Sequence, residues 1–136
     1  DDLSQTVENV AIQSIRNIPA FFTGSTFSDG SSLVGVYYKP LLSTVFSITY
    51  SIFGASPFGF HFIQIVLHII NAVILFLLFK QFFKRSLSLV LSIIFLVHPI
   101  NSEAALYISA TQEVLFFLFG ILALWIIANF KSTRSV

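Results

Sequence analysis

An unbroken apolar run over residues 57–80 constrains the fold of this chain more than any other feature. The run reads "PFGFHFIQIVLHIINAVILFLLFK" and carries no charge before Lys80. As a helix rising about 1.5 Å per residue, it is long enough to cross ~30 Å of hydrocarbon. Ser56 and Pro57 favour the start of that helix. The chain is 56% hydrophobic and 10% charged, whereas soluble domains carry about a quarter charged residues. Lipid is therefore the expected solvent of much of this protein.

Two further apolar segments follow this run. Residues 114–130 span the hydrocarbon if their helix begins near Thr111. Residues 87–97 form a shorter segment that ends before His98, and even a start near Phe82 barely allows it to span. We therefore predict three transmembrane helices, the second of which ends below the membrane surface.

The chain before residue 57 is more polar, and its first part has the pattern of a surface helix. Over residues 3–18, apolar side chains recur at spacings of three and four, as in an amphipathic helix. Pro19 is expected to end that helix. Residues 23–35 are rich in Gly and Ser, which is typical of an exposed loop.

A second amphipathic helix is predicted between Pro40 and Gly54, which are residues suited to the start and the end of a helix. This helix is too short to cross the hydrocarbon and is expected to lie at the interface. The preceding Tyr37 and Tyr38 would then lie at headgroup level.

These elements predict an all-α integral membrane protein with two parts. Residues 1–56 form an outward loop with two interfacial amphipathic helices. Residues 57–136 form a segment of three transmembrane helices that belongs to a larger bundle.

The basic residues predict how these helices cross the membrane. Five of the seven Lys and Arg residues fall on one side of the three predicted spans. The positive-inside rule makes that side cytoplasmic, so residues 1–56 and 98–112 are extracytoplasmic. Every acidic residue lies on that outer side or at its rim: Asp1, Asp2, Glu8, Asp29, Glu103 and Glu113.

Charge and composition exclude several classes of function. A formal charge of +1 argues against nucleic acid as a partner, because phosphate binding needs a basic surface. The chain has no Cys, so thiol catalysis and thiolate metal sites are excluded. It also contains no Gly-rich phosphate loop, no nucleophile elbow and no zinc-ligand spacing.

The first predicted span carries a polar seam of four residues on one helix face: His61, Gln64, His68 and Asn71. Polar groups in hydrocarbon must face other helices or a cavity. The seam therefore either holds the bundle together by hydrogen bonds or, at His61, lines a polar pocket near the outer surface. A metal site shared by His61 and His68 is not expected, since two helical turns (about 10 Å) separate them.

Two more polar groups lie in the outward segments. The loop "HPINSEAALYISATQE" gathers His98, Asn101, Glu103 and Glu113 between two spans. Irregular backbone at membrane depth survives only beside protein or water, so this loop suggests a cavity that opens outward. Ordinary loop packing without a functional role is the alternative, and on these residues alone it is the favoured one. The adjacent carboxylates of Asp1 and Asp2 can share a proton, bind a cation or act as a base, or they can be merely a polar terminus.

Three stretches in order resemble the membrane glycosyltransferases of the GT-C superfamily: "DDLSQTVENVAI", "YYKPLLSTVFSITYSIFGASPFGFHFIQIVLHIINA" and "HPINSEAALYISATQE". They are most similar to the polytopic O-mannosyltransferase-like proteins that often carry tetratricopeptide repeats. The resemblance implies a multi-span enzyme that takes a sugar from a polyprenyl-phosphate carrier in the membrane lipid. The sugar would pass to a protein, lipid or glycan acceptor on the extracytoplasmic side.

The resemblance also implies roles for individual residues. Asp1 and Asp2 match the family's paired-Asp motif, so one of them would be the general base on the acceptor hydroxyl. A divalent cation, if one is required, would bind the same two carboxylates. Lys39 stands where the family usually has Arg and would meet the donor phosphate. Three further residues match the family and would contact substrate: His61 in the next span, and His98 and Glu103 in the next outward loop.

One departure from the family pattern concerns charge. Thr111 stands where the family often has Arg, and a lipid-phosphate donor needs positive charge nearby. Either Lys39 supplies that charge, or a part of the protein outside this sequence does, or this member is inactive.

The resemblance also implies that the chain is a piece of a longer protein, with a first span expected before Asp1 and further spans after Val136. This piece alone is not expected to be active. The compact outward loops lack an Asn-x-Ser/Thr acceptor, which favours a bacterial inner membrane over the endoplasmic reticulum. The rival hypothesis is a non-catalytic membrane scaffold or lipid-binding subunit whose polar seam only packs helices.

Overall fold

The computed structural model describes Thr6 and residues 9–23, 27–29, 32–35 and 38–134. Within these ranges the chain is helical apart from one two-stranded hairpin. Its elements fall into a short N-terminal part, one amphipathic helix and a group of longer apolar helices.

The N-terminal part differs from the predicted amphipathic helix over residues 3–18. Two 3₁₀ turns, Val10–Gln13 and Ile15–Asn17, precede a single α-helical turn, α1 (Ile18–Phe21). Pro19 lies in the first turn of α1 and does not end a helix, so that prediction was wrong. The physical reason is local, because the side chains of Asn9 and Ser14 accept hydrogen bonds from backbone N–H groups two residues on and so favour short turns over a continuous helix.

The predicted loop over residues 23–35 contains a hairpin. Strand β1 (Phe27–Asp29) pairs with the antiparallel strand β2 (Ser32–Gly35), with Phe27 opposite Gly35 and Asp29 opposite Ser32. Asp29, the last residue of β1, is followed in the sequence by Gly30, and an Asp-Gly pair is a common signal for a tight hairpin connection.

The second predicted amphipathic helix is present as α2 (Pro40–Phe53). Pro40 occupies its first turn, and Gly54 follows its end with φ +63°, a backbone conformation that glycine adopts without steric cost. The buried side of α2 carries Leu42 and Phe46, while the apolar residues Ile48 and Ile52 remain exposed.

Four helices follow α2. They are α3 (Pro57–Phe79), α4 (Arg85–Val97), α5 (Ser102–Leu106) and α6 (Thr111–Arg134), with 3₁₀ turns at Pro99–Asn101 and Ile108–Ala110. Two helical stretches, Pro57–Phe79 and Ile108–Phe130, are long and apolar enough to cross a membrane. The pair Arg85–Val97 and Pro99–Leu106 passes the same test together, with a bend of 49° between its halves. The described chain is thus a membrane all-α fold with two or three candidate spans.

Helix α3 is the centre of the packing, because it contacts α2, α4, α5 and α6. One apolar cluster joins the N-terminal turns to these helices, and its buried members are Ile12, Phe21, Leu42, Phe46, Phe60 and Ile108. Phe46 of α2 meets Phe60 of α3 edge to face, with ring centroids 5.6 Å apart. This cluster fixes the start of α2 beside the segment that connects α4 to α6.

Candidate functional site

A polar cavity of about 390 Å³ lies between the residue that precedes α2 and the segment that links α4 to α6. Its walls come from positions more than sixty residues apart in the sequence: Lys39 on one side, and Glu103, Tyr107, Ser109, Ala110, Gln112 and Glu113 on the other. The cavity opens beside the start of α6, at the end of the bundle that the sequence predicts to face outward.

Lys39 is placed by the start of α2. Its backbone carbonyl accepts a hydrogen bond from the N–H of Ser43 (3.1 Å), and the following Pro40 begins the helix. The side chain is half-buried, whereas the carboxylates of Glu103 and Glu113 are exposed. Glu103 lies in the first turn of α5 and Glu113 in the first turn of α6, where a helix N-terminus favours negative charge.

The cavity therefore combines one ammonium group with two carboxylates and several neutral polar groups. An ammonium group donates hydrogen bonds to anionic oxygen, and carboxylates accept them from hydroxyls. Such a set suits a ligand that carries both a phosphate and hydroxyl groups, such as a sugar phosphate.

Gln64 of α3 holds in place the cavity wall that lies opposite Lys39. Its amide nitrogen donates to the carbonyl oxygens of Ala104 (2.5 Å) and Tyr107 (3.2 Å). Its amide oxygen lies within hydrogen-bonding distance of the Thr111 hydroxyl, which can also donate to the Ile108 carbonyl (2.7 Å). Gln64 and Thr111 are 1% and 2% exposed, so one buried side chain fixes the backbone that carries Glu103, Tyr107 and Glu113.

The next two residues of the polar seam make similar contacts deeper in the bundle. His68 Nε2 donates to the carbonyl of Leu96 near the end of α4 (3.2 Å), and its ring packs against Phe95. Asn71 Nδ2 donates to the carbonyl of Val114 in α6 (3.0 Å). Together with Gln64, these contacts support the packing interpretation of the seam, in which polar side chains join helices.

His61 and His98, two of the predicted substrate-binding residues, do not line the polar cavity. His61 is half-buried near the start of α3. His98 is exposed, and its Nδ1 accepts a hydrogen bond from the N–H of Ile100 (3.2 Å), which caps the Pro99–Asn101 turn. Asn101 in turn donates to the Phe95 carbonyl (2.7 Å) at the end of α4. The structure thus brings Lys39 and Glu103 together and leaves the two histidines apart from them.

Asp1 and Asp2, the predicted catalytic pair, lie outside the described residues. Their role as base or as ligands of a divalent cation stays a prediction. Within the part of the chain that the structure does describe, no three His, Asp or Glu side chains lie close enough to hold a metal ion.

No role was assigned from the sequence to three polar residues of the cavity: Tyr107, Ser109 and Gln112. Glu113 was noted as part of the outward loop but received no role. Neither spacing nor charge distinguishes Tyr107 or Ser109 in the sequence, because short 3₁₀ and α-helical turns decide which of these side chains reach the cavity. The Gln64 contacts to Ala104 and Tyr107 explain why the turns are arranged in this way.

An apolar groove of about 470 Å³ adjoins the polar cavity. It runs between the start of α2 and the first half of α6, and the two hollows share Lys39 and Gln112. Its other walls are apolar apart from the Tyr38 hydroxyl: Tyr38, Pro40, Leu41, Leu42, Leu115, Phe116, Phe119 and Gly120. The polar cavity and the apolar groove therefore meet at Lys39 and Gln112.

Comparison with known proteins finds relatives that are named protein O-mannosyl-transferases. Human protein O-mannosyl-transferase TMTC1 is 36% identical over 88 residues, which are 63% of this chain and 10% of that protein. Protein O-mannosyl-transferase F38B6.6 of Caenorhabditis elegans is 30% identical over 109 residues (76% and 15%). Human protein O-mannosyl-transferase TMTC3 is 26% identical over 127 residues (90% and 14%). The chain thus covers 10–15% of the length of these relatives.

No solved structure matches the chain. Residues 39–136, which include every described wall of the polar cavity, match the family described as dolichyl-phosphate-mannose-protein mannosyltransferase. The resemblance noted in the sequence is thereby confirmed, and the chain belongs to this family of membrane glycosyltransferases of the GT-C type.

Proposed function

We propose that the protein transfers a sugar from a polyprenyl-phosphate donor to a hydroxyl group of an acceptor on the extracytoplasmic side of its membrane. The names of the family and of its relatives point to mannose as the sugar and to a protein as the acceptor. The observation that carries the proposal is the meeting of Lys39 and Glu103 at one polar cavity beside the start of α6.

The polar cavity has the groups that such a donor needs. The Lys39 ammonium group would bind the donor phosphate by charge-assisted hydrogen bonds. Glu103 and Glu113 would accept hydrogen bonds from sugar hydroxyls, and Tyr107 and Ser109 can both donate and accept them. Binding of this kind orients the anomeric carbon for attack, which is a large part of catalysis in transfer reactions.

The chemical step would use Asp1 or Asp2. The acceptor hydroxyl oxygen attacks the anomeric carbon, and the bond from that carbon to the phosphate oxygen breaks. Polyprenyl phosphate leaves with the bonding electrons, and the carboxylate takes the hydroxyl proton. Nothing in this step requires a further reactant.

The test uses the full-length protein in membranes with polyprenyl-phosphate mannose and an acceptor peptide. We expect Asp1→Asn or Asp2→Asn to reduce transfer by at least ~100-fold, the lower range for loss of a general base, while membrane insertion is unchanged. Asp29→Asn is the matched control, because Asp29 is a further outward Asp with no assigned role. Unchanged transfer in both single variants and in the double variant would exclude the catalytic assignment.

The same assay separates the enzyme from its rival, a non-catalytic scaffold or lipid-binding subunit. A scaffold would insert and bind lipid but would transfer no sugar under any donor or acceptor condition. The compartment stays a prediction: the cavity would face the periplasm in a bacterial inner membrane, or the lumen in the endoplasmic reticulum.

A further inference from the structure

A hollow of about 560 Å³ lies at the end of the bundle opposite the polar cavity. It is bounded by the end of α3, the connection that follows α3, and the second half of α6. Its apolar walls include Leu78, Phe82, Leu124 and Ile127, and the amides of Gln81 and Asn129 also line it. This is the end that the sequence predicts to face the cytoplasm, so the hollow is separate from the proposed site of sugar transfer.

Three exposed cations adjoin the hollow: Lys80, Lys84 and Arg85. They lie in the connection between α3 and α4 and at the first residue of α4, and the same connection supplies two walls of the hollow. The sequence has no Asp or Glu over residues 80–102 or 114–136. The positive charge beside the hollow is therefore not balanced by any acidic residue of these segments.

The polarity of the hollow changes along its length in the same order as that of a phospholipid. Leu78 and Leu124 lie farther from the ends of their helices than the amides of Gln81 and Asn129 do, and the cations adjoin the amides. Amide N–H groups donate hydrogen bonds to ester and phosphate oxygens. Basic pockets between membrane helices on the cytoplasmic side bind anionic headgroups in other membrane proteins.

We propose that this hollow binds an anionic phospholipid from the membrane leaflet at that end of the bundle. The upper part of one acyl chain lies against Phe82, Leu124 and Ile127, and the phosphate lies beside Lys84 and Arg85. This inference does not rest on the proposed function, because neither the sugar donor nor the acceptor is expected at this end.

The length of the hollow favours a lipid over a further helix as its occupant. A transmembrane helix packs along much of the length of its neighbours, whereas this hollow extends along α6 only from Leu124 to Asn129, about 8 Å. A further helix, like a neutral lipid, would also leave the cations beside it unbalanced unless it brought acidic residues to the membrane edge. An anionic phospholipid carries the required charge next to its apolar chains.

Photolabelling tests the site without any sugar transfer. Full-length protein in phosphatidylcholine nanodiscs is labelled with a phosphatidylglycerol that carries a diazirine on the upper part of one acyl chain. We expect label at Phe82, Leu124 or Ile127, competed by unlabelled phosphatidylglycerol and not by added phosphatidylcholine. Equal competition by phosphatidylcholine, or label only elsewhere because a further helix fills the hollow, would overturn the proposal.

Variants of the cations test the contact with the headgroup. We expect Lys84→Gln and Arg85→Gln each to reduce labelling of the hollow about fivefold, the factor expected for one basic residue near an anionic surface. Lys84→Arg keeps the charge and should keep the label. Arg16→Gln, which removes an exposed cation at the other end of the bundle, is the matched control. Unchanged labelling in both Gln variants and in the double variant would contradict the proposal.

A variant of the wall tests the place of the acyl chain. Ala128 also lines the hollow, so the larger side chain of Ala128→Leu takes up part of its volume. We expect labelling to fall about tenfold, the loss that corresponds to roughly two methylene groups of burial. Ala123→Leu is the control, because Ala123 is exposed on the same helix and is not a wall of this hollow. Equal labelling of the two variants would show that the chain lies elsewhere.

Discussion

Individual charges decide whether the polar cavity can bind a phosphate. Of the two cations on the predicted outer side, Arg16 lies in an exposed 3₁₀ turn and Lys39 lines the cavity. The resemblance noted in the sequence predicts an Arg at position 111, where this chain has a buried Thr that contacts Gln64. Thr111 thus contributes to the cavity wall through its contact with Gln64. Lys39 is the one cation among the described residues that line the cavity, and its role at the donor phosphate is a proposal.

Replacement of Lys39 tests this assignment. We expect Lys39→Ala to raise the donor KM about tenfold or more, because a charge-assisted hydrogen bond to phosphate contributes roughly 1.5–3 kcal/mol. Lys39→Arg should retain most donor affinity, since it keeps the positive charge. Steady-state kinetics with polyprenyl-phosphate mannose measure both. Equal donor KM values for Lys39→Ala and the unmodified protein would remove Lys39 from the phosphate site.

Thr111 and Gln64 allow a similar test of the cavity wall. Thr111→Val keeps the side-chain shape but leaves the buried amide oxygen of Gln64 without the donor it has in this structure. We expect a loss of about 1 kcal/mol in the free energy of unfolding, in the range measured for hydrogen bonds between membrane helices, together with a lower kcat. Thr111→Ser keeps the hydroxyl and should restore both quantities. A normal kcat in Thr111→Val would show that the wall does not depend on this contact.

At the scale of elements, the corner between α2 and α3 sets the position of Lys39. Gly54 ends α2, and α3 begins three residues later at Pro57. Gly59 in the first turn of α3 lies directly against the side chain of Phe53 at the end of α2. The two helices therefore approach as closely as glycine allows, and α2 carries Lys39 to its place beside α6.

Gly59→Ala should separate these helices. The added Cβ would overlap the Cβ and Cγ atoms of Phe53, and the Phe53 Cβ cannot move unless the backbone moves. We expect a loss of about 1–3 kcal/mol in the free energy of unfolding, typical of overpacking, measured by denaturation in detergent micelles. Gly120→Ala is the matched control, because its Cβ meets open space. Equal stability of the two variants would mean that the corner is not closely packed in the membrane.

The long helices were predicted well from the sequence, because the hydropathy of a twenty-residue segment outweighs the local contacts of single side chains. Helices α2, α3 and α6 begin at or near the expected Pro40, Pro57 and Thr111. The segment before α2 was predicted less well, since side-chain contacts to nearby backbone choose between turns and a helix there. That Lys39 and Glu103 line the same cavity could not be derived from their spacing in the sequence. Their proximity depends on how α2 and the α4–α6 connection pack on α3.

At the scale of the whole molecule, the helical pair Arg85–Val97 and Pro99–Leu106 determines the topology. A bend of 49° is compatible by itself with a broken span or with a re-entrant loop. A re-entrant loop would start α6 on the cytoplasmic side, while α3 starts on the outer side. Yet Gln64, two turns into α3, contacts Ala104 and Thr111, at the start of α6. Both helices therefore start at the same end of the bundle, which favours a crossing by residues 85–106 over a re-entrant loop.

Cysteine labelling tests this crossing, because the chain itself contains no Cys. Ser86 in the first turn of α4 and Ser102 at the start of α5 are both exposed and form a matched pair. In an otherwise Cys-free protein, Ser102→Cys should react with a membrane-impermeant maleimide added from the extracytoplasmic side. Ser86→Cys should react only after the membrane is permeabilised. Labelling of both from one side would make the pair re-entrant and would place Lys39 and Glu103 on opposite faces of the membrane. The shared cavity, and every proposal built on it, would then be excluded.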